Sequence, residues 1–156
     1  MSETKISETK TRSGFVTLLG ATNAGKSTLV NQLVGTKVSI VSHKVQTTRA
    51  LVRGIITEGD AQIVLVDTPG IFKPRRRLDR AMVSTAWSGA KDADIVLFIV
   101  DAERGFAGDA GTILDSLKDS KARNVLVLNK VDRVEPPKLL DLAGYAAKVK
   151  KKKKVF

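Results

Sequence analysis

The sequence predicts a three-layer α/β fold, with a mainly parallel sheet, one antiparallel hairpin and helices on both faces. Three observations point there. Short apolar runs rich in strand formers alternate with stretches of helical periodicity, the pattern of βαβ crossovers. One run, bounded by Asp94 and Asp101, holds six consecutive apolar residues, as expected of a parallel strand buried on both faces. Two extended segments separated by Glu58, Gly59 and Asp60 read as a hairpin.

Each element has its own warrant. Residues 1–13 are mostly Ser, Thr, Lys and Glu, with Ile6 as the one apolar side chain after Met1, so a flexible leader is expected, with order beginning at Gly14. Gly14–Gly20 is a short apolar strand bounded by glycines. Lys26–Val34 has helical character, with Leu29, Val30, Leu33 and Val34 on one face and Gly35 as the stop. Ala50–Thr57 and Ala61–Thr68 are the hairpin strands. Arg80–Ala90 reads as a helix and Asp94–Asp101 as the central buried strand. Ala110–Lys118 follows as a helix, Asn124–Leu128 as another buried strand, and Lys138–Lys148 as a last helix after Pro136 and Pro137. The expected division is a domain over residues 14–147 and a lysine-rich tail over 148–156.

Composition narrows the chemistry. The 156 residues hold 42% apolar residues, enough for a core. Lys and Arg exceed Asp and Glu by 11, which favours a polyanionic partner. Six of those charges are Lys148 and Lys150–Lys154, and without them the excess falls to 5. The absence of cysteine excludes disulfides, thiolate metal sites and cysteine nucleophiles. His43 stands alone, so a multi-histidine metal site is excluded too. No apolar run approaches the ~20 residues of a membrane span.

In a parallel sheet, ligands bind beyond the carboxyl ends of the strands. After the first strand come Gly20, Ala21, Thr22, Asn23, Ala24, Gly25, Lys26, Ser27 and Thr28, a complete GxxxxGKS loop leading into a helix. Glycines let successive N–H groups face inward and make an anion nest at the helix N-terminus. Lys26 brings a point charge to the β- and γ-phosphates, and the Ser27 hydroxyl is a Mg²⁺ ligand. After the third strand come Asp67, Thr68, Pro69, Gly70 and Ile71. Asp67 can hold Mg²⁺ through a water, and Gly70 allows its N–H close to a γ-phosphate. After the fifth strand come Asn129, Lys130, Val131 and Asp132. The Asp132 carboxylate can accept from the adjacent N–H and amine of guanine, whereas adenine leaves it unpaired. Sites of that kind discriminate by about 10⁴–10⁵. Lys130 lies along the base, and Asn129 ties this loop to the first. Between helix and hairpin, Thr48 is the candidate to complete the Mg²⁺ shell and sense the γ-phosphate, with Thr47 the alternative.

With those motifs in place, residues 14 to about 142 resemble the GTPase domain of the Era family, bacterial P-loop GTPases of small-ribosomal-subunit assembly. The most family-specific stretches are Gln46–Arg49 and Asp67–Ile71, with the run that follows as far as Trp87. The resemblance implies a small GTPase-like P-loop NTPase fold, GTP and GDP as ligands, Mg²⁺ as cofactor and GTP hydrolysis. It also implies maturation of ribosomal RNA on the 30S subunit, and a cytoplasmic pool partly associated with the inner membrane. A monomer is expected. GTPases of the Der and MnmE types share the P-loop and the Asn129–Asp132 motif but match less of residues 72–87, and stand as the enzymatic alternative. A non-hydrolysing basic module that binds RNA or membrane is the alternative of another class.

Two departures stand out. The first loop reads Gly-Ala-Thr-Asn where the family commonly has Gly-Arg-Pro-Asn. The Ser-Ala-Leu or Ser-Ala-Lys segment that closes the family's guanine pocket, and the RNA-binding KH domain beyond it, have no counterpart here, so the sequence reads as a fragment or truncated product. Ile71 replaces the water-orienting glutamine of many small GTPases. Hydrolysis must therefore rest on Mg²⁺, loop amides and another group. Relatives with an asparagine at Asn23 use it to help hold a K⁺ ion over the phosphates, and a turn role is the other reading. The catalytic set is thus Lys26, Thr48, Gly70 and Asn23. Lys73, Arg75, Arg76, Arg77 and Arg80 form either an RNA-phosphate contact or a solvated loop. Trp87 is expected to pack rather than stack on a base.

Overall fold

The computed structural model describes residues 11–35 and 52–151. Five strands and four helices alternate: β1 (Arg12–Gly20), α1 (Lys26–Val34), β2 (Val52–Glu58), β3 (Ala61–Asp67), α2 (Arg77–Lys91), β4 (Ile95–Asp101), α3 (Asp109–Leu117), β5 (Arg123–Asn129) and α4 (Pro136–Lys151). The sheet order is β2-β3-β1-β4-β5. β1 runs parallel to β3 and β4, and β4 parallel to β5, while β2 and β3 pair antiparallel from Val52 opposite Asp67 to Glu58 opposite Ala61. The expected mixed sheet and its hairpin are therefore both present.

Strand alternation feeds two cores. On one face Leu18, Leu65 and Ile99 meet Ala24 and Val30 of the loop and helix α1. On the other, Leu19, Val96, Phe98 and Val100 meet Ala86 and Ala90 of α2 and Ile113 and Leu117 of α3. Leu18, Leu19, Val30, Val96, Ile99 and Ile113 are fully buried. Trp87 packs against the second core, as expected. No helix among the described residues is long and apolar enough to cross a membrane.

Several boundaries differ from expectation, each for a physical reason. β1 starts at Arg12 rather than Gly14, because Arg12 N–H donates to the Asp60 carbonyl at 2.8 Å and main-chain pairing does not require an apolar side chain. α2 starts at Arg77 rather than Arg80, because the Asp79 carboxylate accepts from the N–H groups of Arg76 (3.0 Å) and Arg75 (3.2 Å), an acidic N-terminal cap. α4 starts at Pro136, where the fixed φ of proline suits the first turn, and continues to Lys151. The expected limit at Lys148 therefore falls inside this helix. β5 is not the buried strand that its apolar run suggested. It lies at an edge of the sheet, all its residues are at least partly exposed, and Val125 is 39% exposed.

Candidate functional site

Because β1, β3, β4 and β5 run parallel, their last residues, Gly20, Asp67, Asp101 and Asn129, come together at one end of the sheet. The three sequence motifs follow three of those ends, so the topology alone gathers them.

The loop from Gly20 to Ser27 turns through two left-handed residues, Asn23 (φ 63°) and Gly25 (φ 100°). Gly25 suits this φ, which strains any other residue, and a Cβ there would also displace the Asn129 amide. Asn23 is a non-glycine residue suited to this conformation, which agrees with its turn role. Helix α1 begins at once with Lys26. Its side chain is 6% exposed and folds over the loop, donating to the carbonyls of Ala21 (3.0 Å) and Gly20 (3.2 Å). Burial pushes the ammonium pKa down to about 8, against the opposing pull of the Asp67 carboxylate. Lys26 is thus a cation held in a low-dielectric site by neutral carbonyl acceptors, poised for an anion.

The second loop locks onto the first. The Ser27 hydroxyl donates to Asp67 Oδ2 at 2.7 Å, and Asp67 is wholly buried. The Thr68 hydroxyl donates to the Leu18 carbonyl at 2.7 Å, and Ile71 N–H donates to the Gly20 carbonyl at 2.9 Å. Thr68 and Pro69 are buried between these contacts. Gly70 lies so close to the loop that a Cβ would stand 2.8 Å from Thr22 Cα. The Ile71 side chain is 6% exposed and belongs to the apolar core, so it has no reach toward a reacting water.

The third loop is joined to the first by side chains. Asn129 Nδ2 donates to the Ala24 carbonyl at 2.9 Å, and Lys130 Nζ to the Asn23 carbonyl at 2.8 Å. Lys130 is itself left-handed (φ 58°) and opens the short 3₁₀ turn Val131–Arg133. Val131 and Asp132 are exposed on that turn, which leaves the Asp132 carboxylate free to meet a ligand edge. Thr28 is exposed one residue beyond Ser27. Thr47 and Thr48 lie outside the described residues, as does His43.

The donor set can be tested against Mg²⁺. Ser27 and Asp67 form a hard oxygen pair, the chemistry that Mg²⁺ prefers. Among the described residues no group of three or more His, Cys, Asp or Glu could hold a metal unaided. Mg²⁺ characteristically keeps several waters and takes further oxygens from substrate phosphates. Two participants escaped sequence reasoning. Asp101, at the end of β4, accepts from Lys130 Nζ at 2.9 Å, and Arg104 Nε approaches the same oxygen at 4.0 Å. The position of Asp101 after a buried strand, where ligand-binding residues gather, was the available signal.

A GxxxxGKS loop braced by a second strand end and bonded to the turn that carries Asn129–Asp132 is the architecture of a P-loop GTPase domain. Residues 15–130 match the family model of the 50S ribosome-binding GTPases, and the chain belongs to that family. Its sequence is 75% identical over 138 residues to GTPase Era of Brucella suis biovar 1, covering 88% of this chain and 44% of that protein. It is 67% identical over 147 residues to GTPase Era of Sinorhizobium medicae, covering 94% of this chain and 47% of that protein. Among solved structures, it is similar to Era in complex with MgGDPNP and nucleotides 1506–1542 of 16S ribosomal RNA. There the TM-score is 0.83 and the identity 38%, covering 88% of this chain and 47% of the other. A point variant of Aquifex aeolicus Era bound to GDP·AlF4⁻ superposes with a TM-score of 0.79 at 36% identity, with the same two coverages. The chain thus spans less than half the length of the relatives it matches.

Proposed function

We propose that this chain is the nucleotide-switch domain of an Era-type GTPase, which binds GTP and GDP with Mg²⁺, hydrolyses GTP and serves small-subunit ribosome assembly. The observation that carries the proposal is the bonding of three separate loops into one site through Ser27–Asp67, Asn129–Ala24 and Lys130–Asn23.

In this reading the amides from Ala21 to Thr28 cradle the α- and β-phosphates, and Lys26 exchanges its two carbonyl partners for phosphate oxygens. Ser27, and Asp67 through a water, would hold Mg²⁺, with Thr48 joining them when GTP is bound. That metal would supply positive charge against the phosphates as they react. Gly70 N–H donates to the γ-phosphate, so loss of that phosphate frees the loop that leads into α2. Thr68 and Pro69 keep Asp67 in place, and the Ile71 main chain anchors the loop through its N–H to the Gly20 carbonyl. Asn129 and Lys130 bind the base loop to the phosphate loop, Val131 starts its turn, and Asp132 chooses guanine. Asn23 would help to hold a K⁺ ion, which would supply a fixed positive charge at the phosphate loop.

The Era complex with a 16S RNA fragment supports a small-subunit RNA partner for the protein to which this domain belongs. A cytoplasmic location, with peripheral contact to the inner membrane, goes with the same reading. The test is phosphate release from GTP by the purified chain in Mg²⁺ and K⁺. Mg²⁺-dependent release from GTP and not from ATP is expected. GTP that is bound but never turned over would leave a nucleotide-binding module in place of an enzyme.

A further inference from the structure

Asp101 closes β4 with a side chain that is 8% exposed, and neither phosphate contact nor base selection calls on it. Its two oxygens have separate tasks. Oδ1 accepts from the Glu103 N–H at 2.9 Å, which curls the following loop back over the strand end. Oδ2 accepts from Lys130 Nζ at 2.9 Å, and the same ammonium donates to the Asn23 carbonyl at 2.8 Å. The sheet explains the meeting, because Asp101 is the register partner of Asn129 and Ala102 N–H donates to the Asn129 carbonyl at 2.9 Å. Lys130 is therefore carried one residue past the paired strands, beside Asp101. Its left-handed backbone is a sparsely populated conformation that persists where surroundings over-determine it.

We propose that Asp101 is a positioning residue for the guanine nucleotide: it pins the Lys130 ammonium onto the Asn23 carbonyl, so that the lysine stem is held along the base and the base loop is tied to the phosphate loop. The proposal rests on the nucleotide-binding reading above. The carboxylate has a second consequence. Burial alone would raise its pKa, but the Lys130 hydrogen bond and charge, with the Glu103 and Arg104 amides, hold it below the usual carboxylate range. It is thus an anion near the site of an anionic ligand, compensated chiefly by Lys130 at 2.9 Å, with Arg104 Nε more distant at 4.0 Å. Removing Lys130 alone costs twice, in lost base packing and in a carboxylate left without its nearest cation.

A double-mutant cycle reads this directly, with GDP affinity measured by calorimetry in Mg²⁺ for the chain, Asp101→Asn, Lys130→Ala and the double variant. Asp101→Asn should weaken GDP about ten-fold, the loss of one charged hydrogen bond. Lys130→Ala should weaken it further. The double variant should bind no more weakly than Lys130→Ala, because Asp101 acts only through the lysine. Asp101→Glu, which keeps the charge on a longer arm, should fall between the parent and Asp101→Asn, and takes its place in the cycle if the Asn variant does not fold. Losses that multiply in the double variant, or GDP held by folded Asp101→Asn as tightly as by the parent, overturn the proposal. A parent chain that takes up no GDP overturns the nucleotide reading itself, an outcome set by the parent alone.

Discussion

The proposed phosphate half of the site and the proposed base half are built differently. Around the phosphates, Lys26 is 6% exposed and Asp67 and Thr68 are fully buried, interlocked by short hydrogen bonds between two adjacent strand ends. Around the base, Lys130 is 26% exposed, Asp132 is open to solvent, and both sit on a turn that follows an edge strand. The difference teaches a division of labour. On the proposed reading, buried, desolvated charge amplifies electrostatic attraction and supplies affinity, whereas an exposed carboxylate on a turn costs little to present and supplies choice. Asn129, Lys130 and Asp101 are the hinge between the halves.

The largest break in that comparison should come from Lys26→Ala. Losing the buried cation removes about two charged hydrogen bonds to phosphate, so GDP and GTP affinity should fall on the order of a hundred-fold or more. The fold should survive, because Lys26 is a desolvated charge whose removal relieves a burial penalty. Calorimetry and a thermal melt on the same sample check both parts. Unchanged affinity would remove Lys26 from the site.

Asp132→Asn should act on choice alone, weakening guanine nucleotides about ten- to a hundred-fold while xanthine nucleotides gain. Competition between GDP and XDP measures it. Equal losses for both bases would make Asp132 a structural residue.

A smaller, pH-dependent effect separates the halves without mutation. Free lysine holds its proton to 10.5, but Lys26 in the folded chain holds it only to about 8. Between those values the unfolded chain binds more protons. The burial penalty, complete below about pH 8, is therefore relieved as pH rises toward 10.5, and this group's contribution to stability increases. Phosphate favours the charged form, so GDP binding at about pH 9 should take up a proton and be about ten-fold weaker than near neutrality. The dependence of binding heat on buffer ionisation gives the proton count, and a count of zero would detach Lys26 from phosphate. The smallest effect expected is on turnover: replacing K⁺ with Na⁺ should slow GTP hydrolysis several-fold if Asn23 holds the ion. Identical rates in the two salts would leave Asn23 with its turn role alone.

How much of this was legible in the sequence follows the same line. The phosphate loop was readable because glycines, Lys26 and Ser27 are required at fixed spacing, and the structure places them at the end of β1 as the alternation of strands and helices implied. Helix starts were read late where local capping decided them. Asp79 reaches back to Arg76, and Pro136 occupies the first turn of α4, two signals weaker than apolar periodicity. The exposure of β5 was not readable, since an apolar run does not reveal its place in the sheet order. Asp101 was read only as a strand terminus. Its partner lies 29 residues away and is brought to it by the β4–β5 register, a relation that no local pattern carries.

The account's central claim is that this chain presents an assembled guanine-nucleotide site, its phosphate loop and base loop already bonded together. Calorimetric titration of the purified chain with GDP and with ADP, each in Mg²⁺, tests that claim most directly. Saturable one-to-one binding of GDP is expected, with ADP at least about a hundred-fold weaker because adenine leaves the Asp132 carboxylate unpaired. Equal affinity for the two nucleotides, or no heat with either, would contradict it.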